Sequence, residues 1–527
     1  MSNYENGRRL GAAFVLALFA LPVSLLADSF AVSQLDGSNG VAVRGGLTPD
    51  DLGRSVSAAG DINGDGFDDF VVASPTADPN GADSGIVDIV FGQANPLPHP
   101  LALASLDDTE KVRILGAGQF DYAGFSVANA GDINSDGFND LVLGAPASSL
   151  GAQFGGAVYL IFGTDQGFES PIDLSLPGDY HVIAGIEENA DAGSSVAGAG
   201  DVNGDGTDDL VIGARFANGS SGAAYVVFGS AGELPGSFDV LNGANGFAMA
   251  SVGLGDVLGQ SVAGGFDLNG DGYDDIAIGA PLAGEENNYT GKAYIVFGSN
   301  QPFGATLNLN ALDGSNGLTI NGAADQDNFG ESVAVAGNID LEGFDDLIIG
   351  APQASPGGLA DAGSSYVIFG SGTPYAAELN VATLDGSNGF ALVGDEVGAQ
   401  SGAAVAGGFD LNRDGIDDAV VGAPKSDLSQ VDSGAAYVVH GKAGGWSASI
   451  FLSGLSGASG QIIAGKTGGD AFGAAVSAAG DLNNDSWIDL IAGAPDASTY
   501  VADAGEAYLI YSEDLSNPAI IFANGFE

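Results

Sequence analysis

The side chains in this chain whose types and spacing could do chemistry are carboxylates and carboxamides set in a nine-residue loop that occurs seven times. In the first copy Asp61, Asn63, Asp65 and Asp69 hold positions 1, 3, 5 and 9, with Gly66 at position 6 to permit a sharp turn. The copies begin at Asp61, Asp132, Asp201, Asp267, Asn338, Asp410 and Asp481, at steps of 71, 69, 66, 71, 72 and 71 residues. An all-oxygen donor set wrapped around a tight turn suits a hard cation, and Ca²⁺ is the expected one.

With the position-7 carbonyl counted as a ligand, the first loop supplies Asp61, Asn63, Asp65, Phe67 and Asp69. The next three supply Asp132, Asn134, Asp136, Phe138 and Asp140; Asp201, Asn203, Asp205, Thr207 and Asp209; and Asp267, Asn269, Asp271, Tyr273 and Asp275. The sixth supplies Asp410, Asn412, Asp414, Ile416 and Asp418. Two copies depart. The fifth has Asn338, Asp340, Glu342, Phe344 and Asp346, so one ligand loses its charge and another lengthens. The seventh keeps Asp481, Asn483, Asp485, Trp487 and Asp489 but has Ser486 in place of glycine. These two are expected to be the weaker sites. An EF-hand would close with Glu at position 12 between helices. Here position 12 is apolar (Val72, Leu143, Ile212, Ile278, Ile349, Val421, Ala492) and lies inside a strand-like run. The competing reading, Asx-rich turns that need no metal, must account for a four-ligand pattern intact in five copies.

No nucleophile motif is recognisable elsewhere. Of the three histidines, His99 lies in a Pro-rich connection, His181 beside Tyr180, and His440 in a slot that other copies fill with Phe91, Phe162, Phe228, Phe297 or Phe369. The acids outside the repeat, Glu187-Glu188, Glu285-Glu286 and Asp395-Glu396, are the candidates for carboxylate-pair chemistry on sugars. Each falls in a connecting segment, where solvated charge is the ordinary outcome. Arg215 stands where the other copies have the proline of Gly-Ala-Pro, and its role is open.

Composition narrows the partners. The chain carries 68 acidic against 12 basic residues, a net charge of −56, which disfavours nucleic acid and anionic membranes as partners. Cysteine is absent, which excludes disulfides and thiolate chemistry and leaves calcium as the natural staple. Arg8-Arg9, an apolar run from Leu10 to Leu21 and a cleavage point after Ala27 form a signal-peptide layout over residues 1–27. The mature chain is then expected to carry no transmembrane span. The tail, 513–527, breaks the repeat.

The elements that must position these loops are short strands. In the fourth copy Gln260–Phe266 leads into the loop, followed by Ile276–Gly279, Lys292–Phe297, Thr306–Leu309 and Leu312–Ile320. Such β-rich pieces, punctuated by Gly, Asn and Pro, describe a four-stranded antiparallel sheet per copy. The run after each loop (Phe70-Val-Val, Leu141-Val-Leu, Leu347-Ile-Ile) is apolar throughout, the mark of a strand buried on both faces. Seven sheets each sandwiched between neighbours make an all-β, seven-bladed propeller. Ring closure requires a join, and Ser29–Val43, which matches Leu384–Leu392, is expected to complete the blade begun by Gly473–Tyr511.

Phe329-Gly330 with Gly350-Ala351-Pro352, and Phe472-Gly473 with Gly493-Ala494-Pro495, resemble the two halves of the FG-GAP repeat, the unit of the integrin α-subunit propeller. The resemblance spans about 29–512 and implies one propeller domain, 28–512, with calcium loops closed through position 9. It further implies a secreted or cell-surface module that binds or adheres to an extracellular protein or glycan, acting as a monomer and not as an enzyme. The alternative is a secreted carbohydrate-active hydrolase or lyase using the non-repeat carboxylates. Loops between second and third strands, such as Leu282–Thr290 and Gln353–Ala362, are the candidate partner surface.

Overall fold

The run that follows each acidic loop is a strand with every residue buried: Asp69–Ser74, Asp140–Ala145, Asp209–Ala214, Asp275–Ala280, Asp346–Ala351, Asp418–Ala423 and Asp489–Ala494. A strand apolar on both faces needs a sheet on each side, and the chain supplies one. The structure, a computed structural model, describes residues 29–46, 50–251, 253–284, 289–498 and 504–512. The segment 1–27 expected to be a signal peptide, the tail 513–527, Glu285-Glu286 and part of the Leu282–Thr290 loop lie outside the described residues.

Seven sheets stand in a ring. Blade 4 shows the pattern: Val262–Phe266, Asp275–Ala280, Lys292–Val296 and Gly317–Asn321 pair antiparallel in that order, from the axis outward. The innermost strands of the seven blades, Ser55–Gly60, Ser126–Gly131, Ala192–Gly200, Val262–Phe266, Ser332–Gly337, Ala404–Phe409 and Ala475–Gly480, lie side by side in that order, and the last rests against the first. Seven apolar clusters fill the junctions, one between each pair of neighbouring blades. The core of this protein is therefore between sheets, not within one.

The motif glycines explain how closely the blades approach. The glycine of Gly-Ala-Pro in one blade faces the glycine at the Phe-Gly position of the next, which reads Phe329-Gly330 in blade 5 and Ala192-Gly193 in blade 3: a Cβ on Gly279 would lie 2.0 Å from the Gly330 carbonyl oxygen, and one on Gly144 1.9 Å from that of Gly193. Within a blade the same two glycines are hydrogen-bonded, as in Gly259 N to Gly279 O at 2.9 Å. Backbone-to-backbone contact at this distance leaves no room for a side chain.

Closure follows the expected route. Gly40–Arg44 is the fourth strand of blade 7, antiparallel to Glu506–Ile510. The preceding Ser29–Ala31 does not join that blade. It pairs parallel with Gly460–Ala464 of blade 6, so the N-terminal segment ties two blades. The four-stranded expectation is also extended, because six of the seven sheets carry a fifth strand, parallel and two or three residues long. Thr306–Leu307, expected in blade 4, pairs instead with the outer strand of blade 3. The connection before each fourth strand thus reaches back to cover its neighbour's edge, which would otherwise expose unpaired N–H and C=O groups.

Candidate metal loops

Each acidic loop joins an innermost strand to the second strand of its blade, so all seven stand on one face of the ring. The apolar residue at position 2 pins the loop to the core: Ile62, Ile133, Val202, Leu268, Ile339, Leu411 and Leu482 are all buried. Position 6 is left-handed in every copy, with φ of 90° at Gly66 and 70° at Ser486. Glycine adopts that conformation freely, so Ser486 is strained where its counterparts are not.

The carboxylates organise the turn. Asp61 accepts hydrogen bonds from the N–H groups of Asp65 and Gly66, both at 2.9 Å, and Asn63 Oδ1 accepts from Asp65 N at 2.8 Å. Asp65 accepts from Phe67 N at 3.0 Å and from Asn63 Nδ2 at 3.0 Å. Position 9 sits deeper. Asp69, Asp140, Asp209, Asp275, Asp346, Asp418 and Asp489 are all essentially sealed from solvent. Asp69 accepts from Ile62 N at 3.1 Å and from Gly92 N, beyond the third strand, at 2.8 Å. Burial, reinforced by acids at neighbouring loop positions, pushes these carboxyls up to about 8 in Asp69, Asp209, Asp275, Asp346 and Asp489, and to about 7 in Asp140 and Asp418.

A buried carboxylate raised by desolvation and by like charges is the chemistry that a bound cation relieves. Each oxygen that accepts one N–H retains a second lone pair for a ligand bond. Among the described residues no three Asp, Glu, His or Cys side chains converge as a metal-ligating group. The acids at 1, 5 and 9 are turned onto N–H groups, and the fourth donor is an amide. The donor sets of the first six loops fit a hard cation. In the fifth, Asn338 accepts from Gly343 N at 3.2 Å and Asp340 from Glu342 N at 2.9 Å, so the turn survives with less charge. The seventh loop differs, because Asp485 is ion-paired to Arg413 of the sixth at 2.5 Å.

One set of residues escaped the reading of the sequence. In five of the seven loops position 8 links the loop to a neighbour: Asp208, Asp274, Asp345, Asp417 and Asp68 accept from the position-1 N–H of an adjacent blade's loop, at 2.7–3.0 Å, whereas the second loop has Asn139 there and the seventh Ile488. Their recurrence beside position 9 was the available signal. Position 7 also crosses the junction, since a Cβ on Gly64 would meet the Phe138 ring at 2.5 Å and one on Gly204 the Tyr273 ring at 2.4 Å. The loops form a linked circle.

Among the described residues the carboxylates outside the repeat do not converge. Glu187 accepts from Asn218 N at 2.6 Å, and Glu396 from the Ser426 hydroxyl at 2.7 Å and from Asp427 N, so both cap loops of the following blade. Asp395 accepts from the Ser453 hydroxyl. His99 Nδ1 accepts from Ala42 N at 3.3 Å, His181 Nε2 lies 2.9 Å from the Pro235 carbonyl oxygen, and His440 is packed at a strand end as expected. Arg215 pairs with Asp191 at 3.2 Å and lies over the rings of Phe125 and Phe216.

The opposite face has another character. From it emerge the connections between second and third strands and those leading to the next blade. Phe120, Leu150, Phe154, Ile186, Phe216, Leu254, Leu282, Tyr289, Leu359, Val397 and Val431 are exposed there. Among the described residues the remaining exposed large hydrophobics, Leu176, Val240, Leu341, Phe451 and Ile488, lie in connections on the acidic-loop side. Eleven against five is a segregation of apolar surface onto one side of the ring.

The FG-GAP repeat family matches residues 52–90, 123–161, 192–227, 258–296, 329–368, 401–439 and 472–510, one match per blade. The chain is 36% identical over 180 residues to integrin alpha-PS5 of Drosophila melanogaster, covering 33% of this chain and 16% of that protein. It is 31% identical over 239 residues to integrin alpha-5 of Xenopus laevis, covering 44% and 20%. It is 37% identical over 170 residues to phosphatidylinositol-glycan-specific phospholipase D of Bos taurus, covering 30% and 19%. The chain thus spans a fifth or less of the length of these relatives. With seven matched repeats and seven blades built on them, the chain belongs to the FG-GAP repeat family and is an integrin-alpha-like propeller.

Proposed function

We propose that this chain is an exported, calcium-braced binding module whose recognition surface is the face opposite the acidic loops. The observation that carries the reading is the segregation just described, with most exposed large hydrophobics on loops of one face. Contiguous exposed apolar surface marks interaction sites. Loops on a rigid scaffold can vary in shape and chemistry without disturbing the ring. The acidic face then serves as the brace. The signal-peptide layout of residues 1–27 and the likeness to integrin alpha chains support export to an extracellular setting and a role in adhesion. Among the described residues no helix is long and apolar enough to cross a membrane.

The test is a panel of extracellular-matrix proteins and glycans presented to the purified chain, with sugar release assayed on the same panel. Serine at Leu150, Phe154 and Phe216 together should weaken binding at least tenfold and leave melting unchanged. Retained binding in that variant, or turnover of any glycan, would overturn the reading.

A further inference from the structure

We infer that Arg413 takes the place of a cation in the seventh loop, so that the junction of blades 6 and 7 is latched by an ion pair and not by calcium. Arg413 is position 4 of the sixth loop, where the first, third and fourth loops have Gly64, Gly204 and Gly270. Its left-handed backbone, φ 67°, is one that glycine would adopt more easily. The side chain reaches across the junction. Its guanidinium lies over the Trp487 ring at 5.0 Å, and one Nη is 2.5 Å from Asp485 Oδ2 and 3.4 Å from the Ser512 hydroxyl. Asp485 is position 5, one of the charged donors a cation would need.

Two comparisons within the ring set this loop apart. In the first, second, fourth and sixth loops the position-5 Oδ2 accepts from the Asn amide at position 3, an uncharged partner at 2.9–3.1 Å. In the seventh it faces a full positive charge. Among the described residues no other carboxylate of these loops is ion-paired to a basic side chain. The same junction has also lost its position-8 carboxylate, because Ile488 stands where Asp68, Asp208, Asp274, Asp345 and Asp417 make their cross-blade bonds. The junction of blades 1 and 2 also lacks that carboxylate, with Asn139 at position 8, but among the described residues only at the junction of blades 6 and 7 does a basic side chain, Arg413, supply a charged link in its place. A guanidinium on a ligand oxygen both occupies its lone pair and repels a divalent ion arriving within a few ångströms.

The inference rests on the calcium reading of the other loops, and its test separates the two. Hydrogen exchange of the full chain is measured in calcium and after chelation. The peptide over 61–69 should lose protection on chelation while that over 481–489 keeps its own. Calcium bound per chain, by equilibrium dialysis, should fall by one in Asp65→Asn and stay unchanged in Asp485→Asn. Arg413→Gly should gain one. A loss of protection at 481–489 matching that at 61–69, or one ion lost in Asp485→Asn, overturns the inference. If Asp65→Asn loses no calcium and 61–69 is indifferent to chelation, the calcium reading falls and takes this inference with it.

Discussion

Replacing Arg44 with alanine tests whether the ring is closed by the N-terminal strand. Arg44 stands directly opposite Glu506 in the pairing of Gly40–Arg44 with Glu506–Ile510. Its Nε is 2.8 Å from Glu506 Oε1, and the Glu506 side chain is 2% exposed. The other Glu506 oxygen accepts from the Tyr508 hydroxyl, and Lys466 is a distant second cation at 3.9 Å. Removing one partner of a buried pair costs about 3–5 kcal/mol, because it strands the other charge out of water. Lys466 and Tyr508 remain to share that charge, so roughly 2–4 kcal/mol is expected for Arg44→Ala. The adjacent Val41 and Val43 are fully buried, so water cannot readily enter to solvate the stranded carboxylate. The assay is chemical denaturation at matched calcium, comparing Arg44→Ala, Glu506→Gln and the double variant. The double variant should lose less than the sum of the two single ones, since removing both members leaves no uncompensated charge. If the N-terminal strand were a loose surface tail, Arg44→Ala would cost under ~0.5 kcal/mol, as an exposed pair does, and additive losses would refute the closure equally well.

Deleting residues 29–44 should abolish cooperative unfolding, because it removes the fourth strand of blade 7 and the fifth of blade 6; an unchanged transition would contradict the topology. Gly279→Ala places a Cβ 2.0 Å from the Gly330 carbonyl oxygen and should destabilise by about 1–3 kcal/mol, read from the denaturation midpoint. Burial pushes the Asp327 carboxyl up to about 6 from an ordinary 3.8. A raised pKa in the folded state means its stabilising contribution is full below pH 3.8 and is lost as pH rises through about 6. Asp327→Asn should therefore flatten the fall in stability between pH 4 and 7; an identical pH profile would show that this carboxylate does not titrate with folding.

Much of the fold was legible because the repeat writes each blade in the same register. The uninterrupted apolar strands after the loops, such as Leu347-Ile-Ile, can be satisfied only between two sheets, and the match of Ser29–Val43 to a fourth-strand segment announced the closure. What stayed illegible lies between blades. The fifth strands are two or three residues long, too short to show alternation, and their partner belongs to the preceding blade, as Thr306–Leu307 shows. The position-8 aspartates read as part of an acidic loop because nothing local distinguishes a residue aimed at a neighbour from one aimed at an ion. Arg413 was hidden for the same reason: it occupies an unremarkable position in its own loop, and its meaning comes from Asp485 in the loop of the next blade.

The most direct test of the account is thermal melting of the full chain in millimolar calcium and after exhaustive chelation. Extracellular calcium modules hold the ion at about 10⁻⁴–10⁻³ M. At ten times that dissociation constant each filled loop adds ~1.4 kcal/mol. With several loops filled, chelation should lower the melting temperature substantially, and calcium but not an equal ionic strength of sodium should restore it. A melting temperature indifferent to chelation would mean that the seven loops are turns held by their own hydrogen bonds, and the calcium brace would have to be abandoned.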